Sequence, residues 1–138
     1  MADMSELRLF TVSEANALIP QFEGFLTQIQ LNFVKVQAIL GPMTGAQPHE
    51  LEVHLEQHPE LRAHLAEIER YVKAIQETGA MFKALDMGLV DFPHAMGDQV
   101  VLLCWQFGEK EIRWWHPLEG NFAGRRPLPG APQRSSLN

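Results

Sequence analysis

Apolar residues fall into two helical seams and then a set of short β-like runs. Phe22, Leu26, Ile29, Phe33, Val36 and Leu40 follow one another at alternating spacings of 4 and 3, which is the pattern of a helix packed lengthwise on another helix. Thr11 followed by Glu14 is a capping box, with Phe10 placed for a hydrophobic staple, so the helix is expected to start near residue 12 and to stop at Gly41-Pro42. Pro20 falls inside it, and a kink or break is expected there because the proline ring meets the carbonyl of Asn16. Leu61, Leu65, Ile68, Val72 and Ile75 form a matching seam, opened by Pro59 and closed by Gly79, with charged residues on its other faces. A short helix over 48–57 lies between the two. The pair of seams predicts a long antiparallel helical hairpin.

After Gly79 the pattern changes to the runs 81–85, 89–92, 99–106 and 111–116, separated by turn residues. They predict a small antiparallel β-meander packed with the hairpin, and an α+β fold. Gly108-Glu109 suits a two-residue type II′ turn, which would place Trp105 opposite Ile112, Leu103 opposite Trp114 and Val101 opposite His116. The run 99–106 is apolar on both faces, so it should be central and covered twice, by the helices and by either the C-terminal segment or a partner chain. The expected organisation is one domain over 1–132, with the hairpin about 12–78, the meander about 81–116 and a Gly/Arg loop over 117–128. Residues 133–138 are expected to form a disordered tail.

Charge sharpens the picture. Between Val12 and Leu40 only Glu14, Glu23 and Lys35 are charged, and Leu31, Val34 and Ala38 make a second apolar row. A helix so poor in charge is covered on two sides, either by its own chain or by a second subunit, and a homodimer is the expected partner state, to be checked by light scattering. The 138-residue chain has a formal net charge of −6, with 11 Lys+Arg and 17 Asp+Glu, which argues against nucleic acid or an anionic membrane as partner. Arg125, Arg126 and Arg134 stand in a tail without acids, so the rest of the chain is more acidic still and could dock it. Cys104 is the single cysteine and lies in an apolar run, where a free thiol behaves as a small buried hydrophobe. With acids near the N-terminus and no long apolar stretch, the expected compartment is the cytoplasm.

Three groups could carry chemistry. His49, His54, His58 and His64, with Glu50 or Glu56, include an i,i+4 histidine pair of metal-binding spacing, but Pro59 pushes His58 out of helical geometry. Asp86, Asp91, Glu109, His116 and Arg125 lie among the strands, with Cys104 and three tryptophans around them, and could supply metal ligands or an acid/base pair. Each has a plainer role: Asp86 in its turn, Glu109 at the hairpin corner, His116 as a satisfied core histidine on the Trp105 face, Asp91 paired with Arg113 or Arg125. Convergence in one pocket would mark a site, whereas dispersal with local hydrogen bonds would mark fold support. The third group, Gly120 to Arg126, could hold a carboxylate or phosphate but lacks the ending of a P-loop.

Several of these segments together resemble a known family. Phe10-Thr11, Glu14 to Pro20, Gly88 to Pro93, Leu103-Cys104-Trp105 with Gly108-Glu109, Trp115-His116 and Gly120 to Arg125 are similar to the bacterial domain of unknown function family 2203, over about residues 9–128. The resemblance implies no activity, cofactor or catalytic residue. It concentrates on the strand hairpin and the Gly-rich loop, which are where it directs the search for a site. The leading expectation is a non-catalytic oligomeric interaction or scaffold protein. The alternative is a small-molecule or metal-binding protein, enzymatic or not, with its site at the sheet and the Gly/Arg loop.

Overall fold

The computed structural model describes residues 7–41 and 48–129, the side chains of 48–50 excepted. Helix α1 spans Val12–Leu40. Its start is the expected capping box: the Glu14 amide donates to Thr11 Oγ1 at 3.0 Å and the Thr11 amide donates to Glu14 Oε1 at 2.9 Å. Phe10 turns edge-on to Phe92, with centroids 5.2 Å apart, and its amide donates to the Pro93 carbonyl at 2.7 Å, so the helix entry is tied to the sheet. The helix is not broken at Pro20. That residue lies on the exposed side, where a carbonyl deprived of its helical donor can turn to water.

Helix α2 spans Pro48–Gln57 and α3 spans Pro59–Glu77. His58 between them has φ −129° and ψ 81°, outside helical geometry as the residue before a proline should be. The long helices run antiparallel, since Phe25 meets Tyr71 at 5.6 Å while Asn32, further along α1, meets His64, earlier in α3. Phe22, Leu26, Ile29 and Val36 are buried from α1, and Leu61 and Ile75 from α3. One rung of this interface is polar: the Asn32 amide donates to the Gln28 carbonyl, and its Oδ1 accepts from His64 Nδ1 at 2.9 Å. No helix among the described residues is long and apolar enough to cross a membrane.

The sheet is antiparallel, with strands β1 (Met81–Ala84), β2 (Leu89–Met96), β3 (Gln99–Gln106), β4 (Trp114–Pro117) and β5 (Arg126–Pro127) in that spatial order. β3 is central, as its two-sided apolar pattern requires. β2 is longer than the 89–92 run, because Pro93 is accommodated inside it: β1 reaches only as far as Asp91, so the next part of β2 has no strand paired on that side and no strand needs an amide from Pro93. The turn that follows is Gly97-Asp98, with Gly97 at φ 64°. Within the Gly/Arg loop, Phe122–Gly124 form a 3₁₀ turn and β5 pairs with β4. The segment beyond residue 129, including Arg134 and the 133–138 tail, lies outside the described residues.

The β3–β4 register differs from expectation by one residue: Leu103 pairs with Trp115, Leu102 with His116 and Cys104 with Trp114. Gly108-Glu109 is not a tight two-residue turn. The Gln106 amide donates to Glu109 Oε1 at 2.7 Å, the Trp105 indole donates to the Glu109 carbonyl at 2.9 Å, and the Ile112 amide donates to Asn16 Oδ1 on α1 at 2.7 Å. These bonds draw 107–113 into a wider loop, and β4 begins at Trp114 rather than Glu111. A slip of one residue exchanges the faces of a strand. His116 therefore shares a face with Leu102 and Cys104, not with Trp105. Trp105, Leu103, Val90 and Phe92 point to the helices and pack with Phe10 and Phe22 in the core.

Candidate functional site

The face of the sheet away from the helices carries a buried polar cluster. Asp91 on β2 pairs across the ladder with Cys104 on β3, and His116 comes from the adjoining β4. Asp91 and His116 are only 3% and 2% exposed, a burial that carboxylates and imidazoles tolerate only with partners. His116 Nε2 lies 3.1 Å from Asp91 Oδ2, and Nδ1 lies 2.8 Å from the Pro117 carbonyl oxygen. A carbonyl can only accept, so Nδ1 carries a proton. One further proton therefore bridges Nε2 and Oδ2, giving either an imidazolium–carboxylate pair or a neutral imidazole with a carboxylic acid. Burial pushes Asp91 above the usual carboxylate range, against the opposing pull of His116, Lys83 and the Cys104 thiol.

The Cys104 thiol lies beside the Asp91 carboxylate, within 4.8 Å. Burial, reinforced by the Asp91 charge, pushes the thiol up from 9.0 to about 12, while the nearby Arg125 guanidinium works in the other direction. The thiol is thus protonated at neutral pH. The order of contacts is also wrong for a nucleophilic relay, which needs an imidazole between thiol and carboxylate; here Asp91 occupies the middle. A raised thiol pKa means that the folded state keeps a proton which the unfolded chain has lost. Stability is accordingly expected to fall between about pH 9 and about 12, and a Cys104→Ala variant should show a shallower fall over that window in urea melts at stepped pH.

Above the cluster lies a cavity of about 470 Å³. Asp91, Cys104 and His116 line it together with Lys83, Ala84 and Leu89 on one part of its wall and the segment Gly120–Ala123 on another. This segment is the expected second cover of β3. It approaches closely because Gly120 has no side chain: a Cβ there would lie 3.3 Å from His116 Cβ and 3.2 Å from the Pro117 carbonyl oxygen.

Of the five strand-region candidates, Asp91 and His116 line the cavity, and Arg125 is near enough to Cys104 for its charge to act on the thiol. Arg125 donates to both Glu109 oxygens, at 3.1 and 2.9 Å, with its guanidinium over the rings of Trp114 and Phe122. Asp91 thus pairs with His116 rather than with Arg113 or Arg125, and Arg113 pairs with Glu111. Asp86 stays apart, accepting from the Met87 amide at 2.9 Å in its own turn. The role of Cys104 is not legible in its own apolar run, because its partners come from other strands; Asn121 belongs to the Gly120–Arg126 candidate loop, whereas Lys83 carries no signal in the sequence. In the histidine group, His54 and His58 stack with centroids 6.2 Å apart, His64 bonds to Asn32, and the His49 side chain is outside the described residues. Among the described residues, the set of three or more metal-ligating side chains that converges is Asp91, Cys104 and His116, with ligand atoms within 4.8 Å of one another.

Fold and cluster define a small α+β protein with a mixed carboxylate, thiol and imidazole site on the outer face of its sheet. The family model described as Uncharacterized conserved protein (DUF2203) matches residues 8–128, and the chain belongs to that family. No curated protein and no solved structure matches the chain significantly.

Proposed function

We propose that this protein binds a divalent metal ion of the zinc class through Asp91, Cys104 and His116, and handles a small molecule at the ion's remaining coordination position. One observation carries this reading: three ligand types converge at the floor of a cavity, with the distal imidazole nitrogen already held by a carbonyl. A metal-binding histidine usually donates its other N–H in this way, which fixes the ring and its tautomer. Thiolate, imidazole and carboxylate suit zinc, and three protein ligands with an open position are the pattern of sites that engage a substrate or water. Binding would release the thiol proton and the proton shared by Asp91 and His116, so affinity should rise with pH. The Arg125 guanidinium beside the sulfur would then support the thiolate.

The test is metal analysis of protein purified without a histidine tag, followed by cobalt titration of the metal-free form. The expected result is one ion per chain, a thiolate-to-cobalt charge-transfer band and about two protons released per ion at neutral pH. Protein that takes up no zinc or cobalt stoichiometrically would overturn the proposal.

The oligomeric interaction role is a second reading, favoured by the second apolar row of α1, where Leu31 and Val34 are 52% and 61% exposed in the single chain. A second copy of the same uncharged face would cover it. Light scattering at micromolar concentration should give the mass of a dimer, and a monomeric mass counts against this reading.

A further inference from the structure

The chemistry of the cavity wall limits what could occupy it. A divalent ion held by one thiolate, one carboxylate and a neutral imidazole leaves the floor without net charge. The Arg125 charge is offset by Glu109. What remains on the wall is Lys83. Among the described residues its ammonium closes no ion pair, and it acts on Asp91 through space. Its position has a backbone cause: the β1–β2 register jumps between Phe82 and Ala84, so Lys83 is the unpaired residue of a bulge. Bulges re-aim side chains. Here two consecutive residues, Lys83 and Ala84, line the same cavity instead of alternating across the strand.

The rest of the wall is mostly apolar, from Ala84, Leu89, Phe122 and Ala123, with Asn121 also in the lining. A volume of about 470 Å³ is in the range of small-molecule sites. Resting on the metal reading above, we infer that the cavity takes a small organic carboxylate, whose anionic end lies between the open coordination position and Lys83 and whose apolar body lies against Phe122, Leu89 and Ala84. One surplus positive charge matches a monoanion. A phosphate ester, with its second charge, would call for further cationic donors such as arginine forks.

The experiment uses cobalt-loaded full-length protein and its Lys83→Met variant, which keeps the length of the side chain and removes its charge. Benzoate, acetate, benzamide and inorganic phosphate are each titrated while the cobalt d–d bands are recorded. Benzoate is expected to shift the bands, to bind more tightly than acetate or phosphate, and to lose about tenfold in affinity in Lys83→Met; benzamide should leave the bands unmoved. Bands insensitive to benzoate overturn the inference while the metal reading stands. So do equal responses to benzamide, tighter binding of phosphate, or an unchanged affinity in Lys83→Met. Failure of the cobalt bands to appear overturns the metal reading and this inference with it.

Discussion

His116→Ala is expected to lower the affinity for zinc or cobalt by more than about 100-fold, since altering a residue that merely supports a ligand already costs 10- to 100-fold. The imidazole is the ligand whose geometry is best prepared. Its Nδ1–H is fixed on Pro117, so Nε2 points at Asp91 with no rotamer freedom left to lose on coordination. Truncation removes a metal bond and leaves the Pro117 carbonyl without that donor. It also leaves Asp91 in a buried place, where the raised carboxyl can remain as the neutral acid, so the chain should still fold. Competition with a colorimetric chelator reads the affinity. A companion variant, Cys104→Ser, replaces sulfur by oxygen at nearly the same size and should abolish the charge-transfer band while the far-ultraviolet dichroism is preserved. Wild-type affinity in both variants would remove Cys104 and His116 from any metal site and overturn the three-ligand reading.

Trp105→Ala should destabilise the protein by about 3–5 kcal/mol, the range for removing a large buried aromatic side chain. The indole is fully buried between sheet and α1, with Phe22 and Phe107 rings at 6.5 and 6.4 Å. Its N–H also donates to the Glu109 carbonyl, so truncation leaves both a void and a lost hydrogen bond. Domains are typically stable by only about 5–15 kcal/mol, so the variant should unfold at a much lower urea concentration. The site should suffer as well: Glu109 holds Arg125, and Arg125 sits beside the Cys104 sulfur. Trp105→Phe, which keeps most of the volume but not the N–H, should lose markedly less. A change below about 1 kcal/mol in Trp105→Ala would show that the core collapses into the space.

What the sequence disclosed depended on how local the causes were. Thr11 and Glu14 cap the same turn they belong to, and the seams of α1 and α3 repeat within single elements, so both helices were legible residue by residue. The position of Pro93 was not, because its tolerance depends on where β1 ends. Nor was the β3–β4 register. Gly108-Glu109 has the chemistry of a tight turn, but Asn16 of α1, ninety-six residues away, captures the Ile112 amide, and the Trp105 indole captures the Glu109 carbonyl. Local preference yields to tertiary bonds there. Residue type alone points to Asp91 and His116, while the face they share with Cys104 follows only from the register. Charge points equally to Asp86 and Glu109, and each is satisfied near its own turn or by Arg125.

Pro93 also bears on how copies of the chain can meet. Past Asp91, the free side of β2 would otherwise offer amides and carbonyls to any extended chain, and such borders are the usual seeds of aggregation. Here the proline has no amide to offer, its carbonyl is taken by Phe10, and the Phe10 carbonyl is taken by His94. At the opposite border the two-residue β5 ends in Pro127. β1, the edge strand beside β2, is only four residues long and interrupted by a bulge, so both borders are discouraged from recruiting another strand. Self-association, where it occurs, is steered away from a continuous intermolecular sheet and towards contact between side-chain surfaces, which can close on itself instead of growing into a fibre.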